Sequence, residues 1–294
     1  MDTENNHENK PTDKPKLVGE FSDAAFKTHD EQNEEKPAKK VKRQATEEQL
    51  SHPLHGVKLA HILASLVEHY GWSDLFGTHI SLRVPGTDHF LLNPYGVLFG
   101  EITASSLIKV DEDGNTIGDS DYPINPAGFT IHSAIHMSET KLNAVLHTHT
   151  RAGNAVACMK EGLLPYHQKA LTVLGFVKYH EYESVALDHD ERERLVKHLD
   201  DGRVLVLRNH GLLTVGETIA EAFFWMFRME TACQYQVDIL SCGRELQLPS
   251  QEVQDYTIMM GKKLFGAGGS AAKNQQWPAM IRKLERAVGT DWRT

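Results

Sequence analysis

The chain is poor in cysteine. Cys158, Cys233 and Cys242 are its only three, and they form neither a disulfide framework nor a C-x-x-C pair. Their spacing fits buried apolar residues in a reducing compartment. No stretch approaches the 18 or more apolar residues of a membrane span, and MDTENNHENKPTDK lacks the apolar segment of a secretory signal. The net charge of -9 carries no basic excess, which argues against a nucleic-acid footprint. GAGGSAA at 266–272 lacks both G-x-G-x-x-G spacing and a Walker lysine, so it reads as a hinge rather than a phosphate loop. These absences lead to the expectation of a soluble cytoplasmic protein, without nucleic-acid or membrane partners.

What is present is one well-filled core's worth of chain: 294 residues, 40% hydrophobic. Residues 1–45 are polar and charged and are expected to form a disordered leader, with KPAKKVKR at 36–43 as its solvated end. A main domain is expected over 46–250 and a helical extension and tail over 251–294.

HGVKLAHILASLVEHYGW places Val57, Leu59, Ile62, Leu63 and Leu66 at helical spacing, and Gly71 signals the C-cap. HISLRV and HFLLN, separated by PGTD, predict two strands and a turn. Asn125 and Pro126 have the chemistry of an N-cap and first helical residue. LNAVLHTHT predicts a buried strand, RAGNAVACMK the helix after it, and VLVLRNHGLLTVG a further strand. A long helix is predicted from about Glu217 to Leu240, with an apolar surface too broad for one contact face; Trp225 belongs there as core or interface.

The histidines carry the chemistry. Residues two apart on a strand share a face, so His147 and His149 can reach one ion. His210, at the end of an apolar run and followed by Gly211, supplies a third imidazole at a sheet edge. Three imidazoles with an open position make a Lewis-acid site. Imidazole ligands alone do not choose between zinc, manganese, iron and cobalt; the expectation is one divalent ion per subunit, with zinc ranked ahead of manganese or iron. His52, His55, His61, His69, His180, His189 and His198 read as surface or packing residues, and Lys169 lacks the surroundings of a Schiff-base lysine.

Five segments in order, GTHIS at 77–81, LLNPYG at 91–96, INPAGFTIHSAIH at 124–136, NAVLHTHT at 143–150 and LRNHGLLTVG at 207–216, resemble the class II aldolase/adducin family. The C-terminal WPAMIRKLERAVGTDWRT is similar to the extended tail of bacterial and fungal adducin-like members. The resemblance implies a three-layer α/β/α fold with a largely antiparallel central sheet, and homotetramers with active sites near subunit interfaces. It implies metal ligation by His147, His149 and His210. Aldolase members carry a glutamate four residues before the histidine matching His132; here that position is Gly128. Positions 128 and 132 share a helical face, so Gly128 opens space and removes a carboxylate. His132 or His79 is then the candidate proton carrier, with Glu101 as a carboxylate from another loop.

Gly77, Thr78 and Ser81 match the family's anion-binding loop, with His79 replacing its usual asparagine. That replacement resembles decarboxylase-like branches. Arg83 and His167 are further candidates for substrate contact. The leading expectation is a metal-dependent lyase (decarboxylase, dehydratase or aldolase-like) acting on a small hydroxylated carboxylate or related oxygen-rich anion through a metal-stabilised enolate. The alternatives are a non-catalytic adducin-like scaffold and a non-heme iron oxygenase on the same site.

Overall fold

The computed structural model describes residues 55–138, 140–186, 190–266 and 270–289. The expected leader at 1–45, its basic run, His52 and His189 lie outside these residues. The first helix, α1 (His55–His69), follows from the predicted apolar spacing, and Gly71 leaves it at φ 64°, a conformation that favours glycine. Seven strands make one sheet: β1 (His79–Arg83), β2 (Phe90–Leu92), β3 (Ile108–Val110), β4 (Ala144–Thr148), β5 (Val177–His180), β6 (Val204–Leu207) and β7 (Gly211–Gly216). Their order is β3-β2-β1-β4-β7-β6-β5, and only β5 with β6 is parallel, so the sheet is largely antiparallel as expected.

Helices cover both faces. α2 (Pro126–Met137) is capped by the Asn125 side chain, which accepts from the Ala127 and Gly128 N–H groups. With α5 (Glu191–Leu199) it buries Ile131, Ile135, Leu195 and Leu199 against Val145, Leu205, Leu213 and Val215. The opposite face carries α1, α3 (Arg151–Cys158), α4 (Gln168–Leu174) and α6 (Ile219–Ser241) over Ile80, Leu82, Leu146, Val206 and Leu212. Period-two alternation therefore assigns His79, Ser81, Val145 and His147 to the α2 side of the sheet.

The breadth of α6 has its cause within the chain. Its buried Trp225 packs on Phe176, and Phe224 and Trp225 also meet Phe265 of α7 (Gln251–Phe265). Phe223 meets Trp277 of α8 (Ser270–Val288). Three expectations need correction. VLVLRNHGLLTVG is a hairpin rather than one strand: Asn209 takes φ 56°, a left-handed conformation asparagine tolerates, and the chain reverses between β6 and β7. The terminal helix starts at Ser270, so the last residues of the supposed hinge are helical, with Pro278 inside. His149 lies one residue past the end of β4. No helix among the described residues is long and apolar enough to cross a membrane.

Candidate metal centre

His147 and His79 are cross-strand partners on β4 and β1, which places their rings 5.6 Å apart and nearly parallel. His149 follows β4, and His210 ends the β6–β7 turn. Their side chains converge: ring centroids of His147, His149 and His210 are 4.7, 4.8 and 4.9 Å apart, and the candidate ligand atoms lie within 4.8 Å of one another. Three glycines make room. A Cβ on Gly77 would stand 2.8 Å from His149 Nδ1, and one on Gly211 would stand 2.5 Å from the Thr148 carbonyl oxygen and 3.0 Å from His149 Cδ2. One on Gly128 would stand 3.0 Å from His79 Cγ.

Proton accounting decides what this cluster suits. His147 Nδ1 is 3.0 Å from the Leu212 carbonyl oxygen, which can only accept, so Nδ1 carries the proton. His149 Nδ1 is 2.9 Å from Asp74 Oδ2 and donates likewise. With both imidazoles neutral, each Nε2 carries a lone pair, and the two face each other at 2.9 Å. Such a pair repels unless a cation lies between. Burial pushes His147 well below the ordinary imidazole pKa, and His210 is held down at about 4 by burial and by His149 and His180. A divalent metal with His147 and His149 each oriented through its second nitrogen fits the donor set.

The centre opens onto a cavity of about 730 Å³. Its walls include Asp74, Gly77, His79, Asn125, Arg151, Asn154, Tyr182 and Ser184. His79 Nε2 is 2.9 Å from Asn125 Nδ2, and burial followed by the charge of His149 lowers its pKa to about 4. Deeper under the sheet, Ser81 Oγ sits 2.6 Å from both His132 Nδ1 and His136 Nε2. His132 is wholly buried, and its Nε2 has no hydrogen-bond partner among the described residues.

Other sequence candidates lie elsewhere or are otherwise engaged. The Gly77 N–H donates to the Asp74 carbonyl, and the Thr78 hydroxyl donates to the Trp72 carbonyl while accepting from the Asp74 N–H. The supposed anion loop is thus closed on itself. Arg83 is buried and stands 3.9 Å from Asp88. Glu101 is exposed, accepts from the Leu98 N–H and is absent from the cavity wall. His167 caps α4 by accepting from the Ala170 N–H and packs on Tyr235.

The structure adds Asp74 and Arg151. Asp74 lies three residues before GTHIS, a carboxylate beside a histidine-rich segment that was available as a signal. Arg151 follows HTHT directly and is the cation on the cavity wall, a role that strand periodicity does not reveal.

The chain resembles known proteins over most of its length. Residues 57–237 match the family described as Class II Aldolase and Adducin N-terminal domain. A Pseudomonas aeruginosa protein named for aldolase class 2 is 50% identical over 225 residues, covering 75% of this chain and 85% of its own. Alpha-adducin of Rattus norvegicus is 43% identical over 180 residues, 60% of this chain but only 24% of the adducin. Among solved structures, an aldolase II superfamily protein from Pseudomonas syringae superposes with TM-score 0.76 at 44% identity, covering 83% of this chain and 97% of that one. An L-fuculose 1-phosphate aldolase from Glaciozyma antarctica gives TM-score 0.72 at 25% identity, covering 86% and 97%. With the family match spanning more than half its length and the fold shared with the Pseudomonas syringae protein, this chain belongs to the class II aldolase/adducin family.

Proposed function

We propose that the chain is a divalent-metal-dependent lyase that cleaves a C–C or C–O bond in a small hydroxylated carboxylate or related oxygen-rich anion. The observation that carries this reading is the convergence of the His147 and His149 Nε2 atoms, 2.9 Å apart, with His210 beside an open cavity. The ion these three would hold, zinc in the first instance, supplies a Lewis acid that draws electron density from adjacent substrate oxygens.

The protein's own groups do the rest. Asp74 and the Leu212 carbonyl fix the tautomers of His149 and His147. Arg151 offers a charged hydrogen bond to the substrate's carboxylate or phosphate. His79 stands at the wall as a neutral imidazole whose Nε2 accepts from the Asn125 side-chain N–H, and it takes up or returns a proton to the substrate carbon once that contact yields to substrate. It occupies the space that a side chain at position 128 would need, so this site works with an imidazole in place of a carboxylate. Decarboxylation or dehydration suits that exchange better than retro-aldol cleavage.

Homotetrameric assembly follows the family expectation, and exposed Leu75 and Phe76 beside the cavity supply apolar surface for it. The test is a proton-NMR screen of hydroxylated carboxylates and hydroxyaldehyde phosphates. Turnover that chelator and His210→Ala both abolish supports the lyase; no turnover by metal-loaded protein across both classes counts against it. The 43% identity to alpha-adducin favours one rival, a scaffold. A scaffold retains its partner binding when His210 is lost.

A further inference from the structure

Residues 181–186 follow β5 and lend Tyr182, Ser184 and Ala186 to the cavity wall. A second set of histidines and carboxylates, sharing no residue with the first, links the start of this stretch to α5. His180 closes β5 and Glu191 opens α5, both buried; Glu183 reaches back from the loop, and His198 stands further along α5. His180 Nε2 is 3.2 Å from Glu191 Oε1 and 3.8 Å from Glu183 Oε1. His180 Nδ1 is 2.8 Å from His198 Nδ1.

Two proton arrangements satisfy these contacts. In one, His198 donates to His180, and the His180 Nε2–H donates to Glu191. In the other, His180 donates to His198, leaving its Nε2 lone pair facing two carboxylates. The second arrangement needs a cation at Nε2. It is also the form of a metal-ligating imidazole, with its remaining N–H engaged by an acceptor.

The spacing suits an ion. Ligands about 2.1 Å from a tetrahedral metal are roughly 3.4 Å apart, and the two measured separations fall on either side of that value. Two carboxylates bring two negative charges to the imidazole, one of them shared with Arg194. Arg194 grips Glu183 through Nε and Nη2, orienting the carboxylate while lone pairs remain for a metal. We propose that His180, Glu183 and Glu191 form a second divalent-cation site, suited to zinc, which ties the start of the loop to α5 and so fixes one wall of the cavity.

The experiment is equilibrium dialysis of the full chain against zinc, followed by elemental mass spectrometry. Wild type, His147→Ala/His149→Ala, Glu183→Gln/Glu191→Gln and the combined quadruple variant are compared, with circular dichroism confirming the fold of each. The expected content is two zinc ions per wild-type chain, one in each double variant and none in the quadruple. Glu183→Gln alone, on a partly exposed side chain, is expected to weaken the second site at least tenfold without unfolding the protein. A folded His147→Ala/His149→Ala variant that holds no zinc overturns the proposal and leaves the first centre standing. So does a Glu183→Gln/Glu191→Gln variant with unchanged zinc content. Zinc lost only from the glutamine variants would instead overturn the first centre.

Discussion

Replacing Gly128 by alanine tests the link between the missing carboxylate and the histidine that stands in its space. The new Cβ would lie 3.0 to 3.1 Å from Cγ, Cδ2 and Nδ1 of His79. That ring has little freedom to retreat, because Asn125 holds its Nε2 at 2.9 Å and His147 stacks on it at 5.6 Å. Overpacking of this kind costs about 1–3 kcal/mol. Alanine's helix propensity over glycine returns about 0.8–1 kcal/mol. Gly128→Ala alone is therefore expected to destabilise by roughly 0.5–2 kcal/mol. In a His79→Ala background the obstacle is gone, and the same substitution is expected to stabilise by up to about 1 kcal/mol. Urea denaturation of the four proteins at one fixed concentration measures the cycle. A Gly128→Ala effect of equal sign and size in both backgrounds refutes the claim that His79 occupies the place of a side chain at 128.

Four further outcomes follow from the site. Asp74→Asn removes the acceptor that orients His149, and competition with a chelator is expected to show metal affinity reduced about 10–100-fold; with Asp74 54% exposed, the melting temperature should hold. Arg151→Gln should raise KM about 10–100-fold for the anionic substrate by losing a charged hydrogen bond of about 1.5–3 kcal/mol, with a smaller change in kcat; an unchanged KM removes Arg151 from substrate binding. Ser81→Ala leaves two buried imidazole nitrogens without their bridge, an expected loss of about 2–5 kcal/mol in urea denaturation. The pH dependence has a definite sign. His79 and His210 bind protons in the folded state only near pH 4, against 6.5 for an ordinary histidine. The unfolded chain therefore holds more protons between those values, and metal-free protein should lose stability as pH falls from 6.5 toward 4. His210→Asn should flatten that slope, as followed by thermal melts in chelator; an equal slope contradicts the burial argument.

Much of the frame was legible because each signal was local. The apolar spacing of α1, the Asn125-Pro126 cap of α2 and the strand in HISLRV each depend on a few neighbouring residues, and the structure bears them out. His147, His149 and His210 were marked by strand periodicity and by a glycine next to a histidine. What escaped depends on distant packing. Ser81 looked like an anion ligand, yet its strand position buries it between two α2 histidines. His180 and His198 looked ordinary because β5 and α5 bring them together only in the folded chain. VLVLRNHGLLTVG read as one strand because a left-handed asparagine leaves no periodic trace. Arg83 and Arg151 were alike as charges, and only the fold assigns the second to the cavity.

The central claim is that His147, His149 and His210 hold a divalent metal ion. Elemental mass spectrometry of protein purified without chelator, wild type beside His147→Ala/His149→Ala and His210→Ala, tests it most directly. The account predicts that the wild type carries one ion per chain more than either folded variant, and that the difference is the ion restoring activity to metal-stripped protein. Equal metal content in all three, after loading with zinc, manganese and iron in turn, would contradict it.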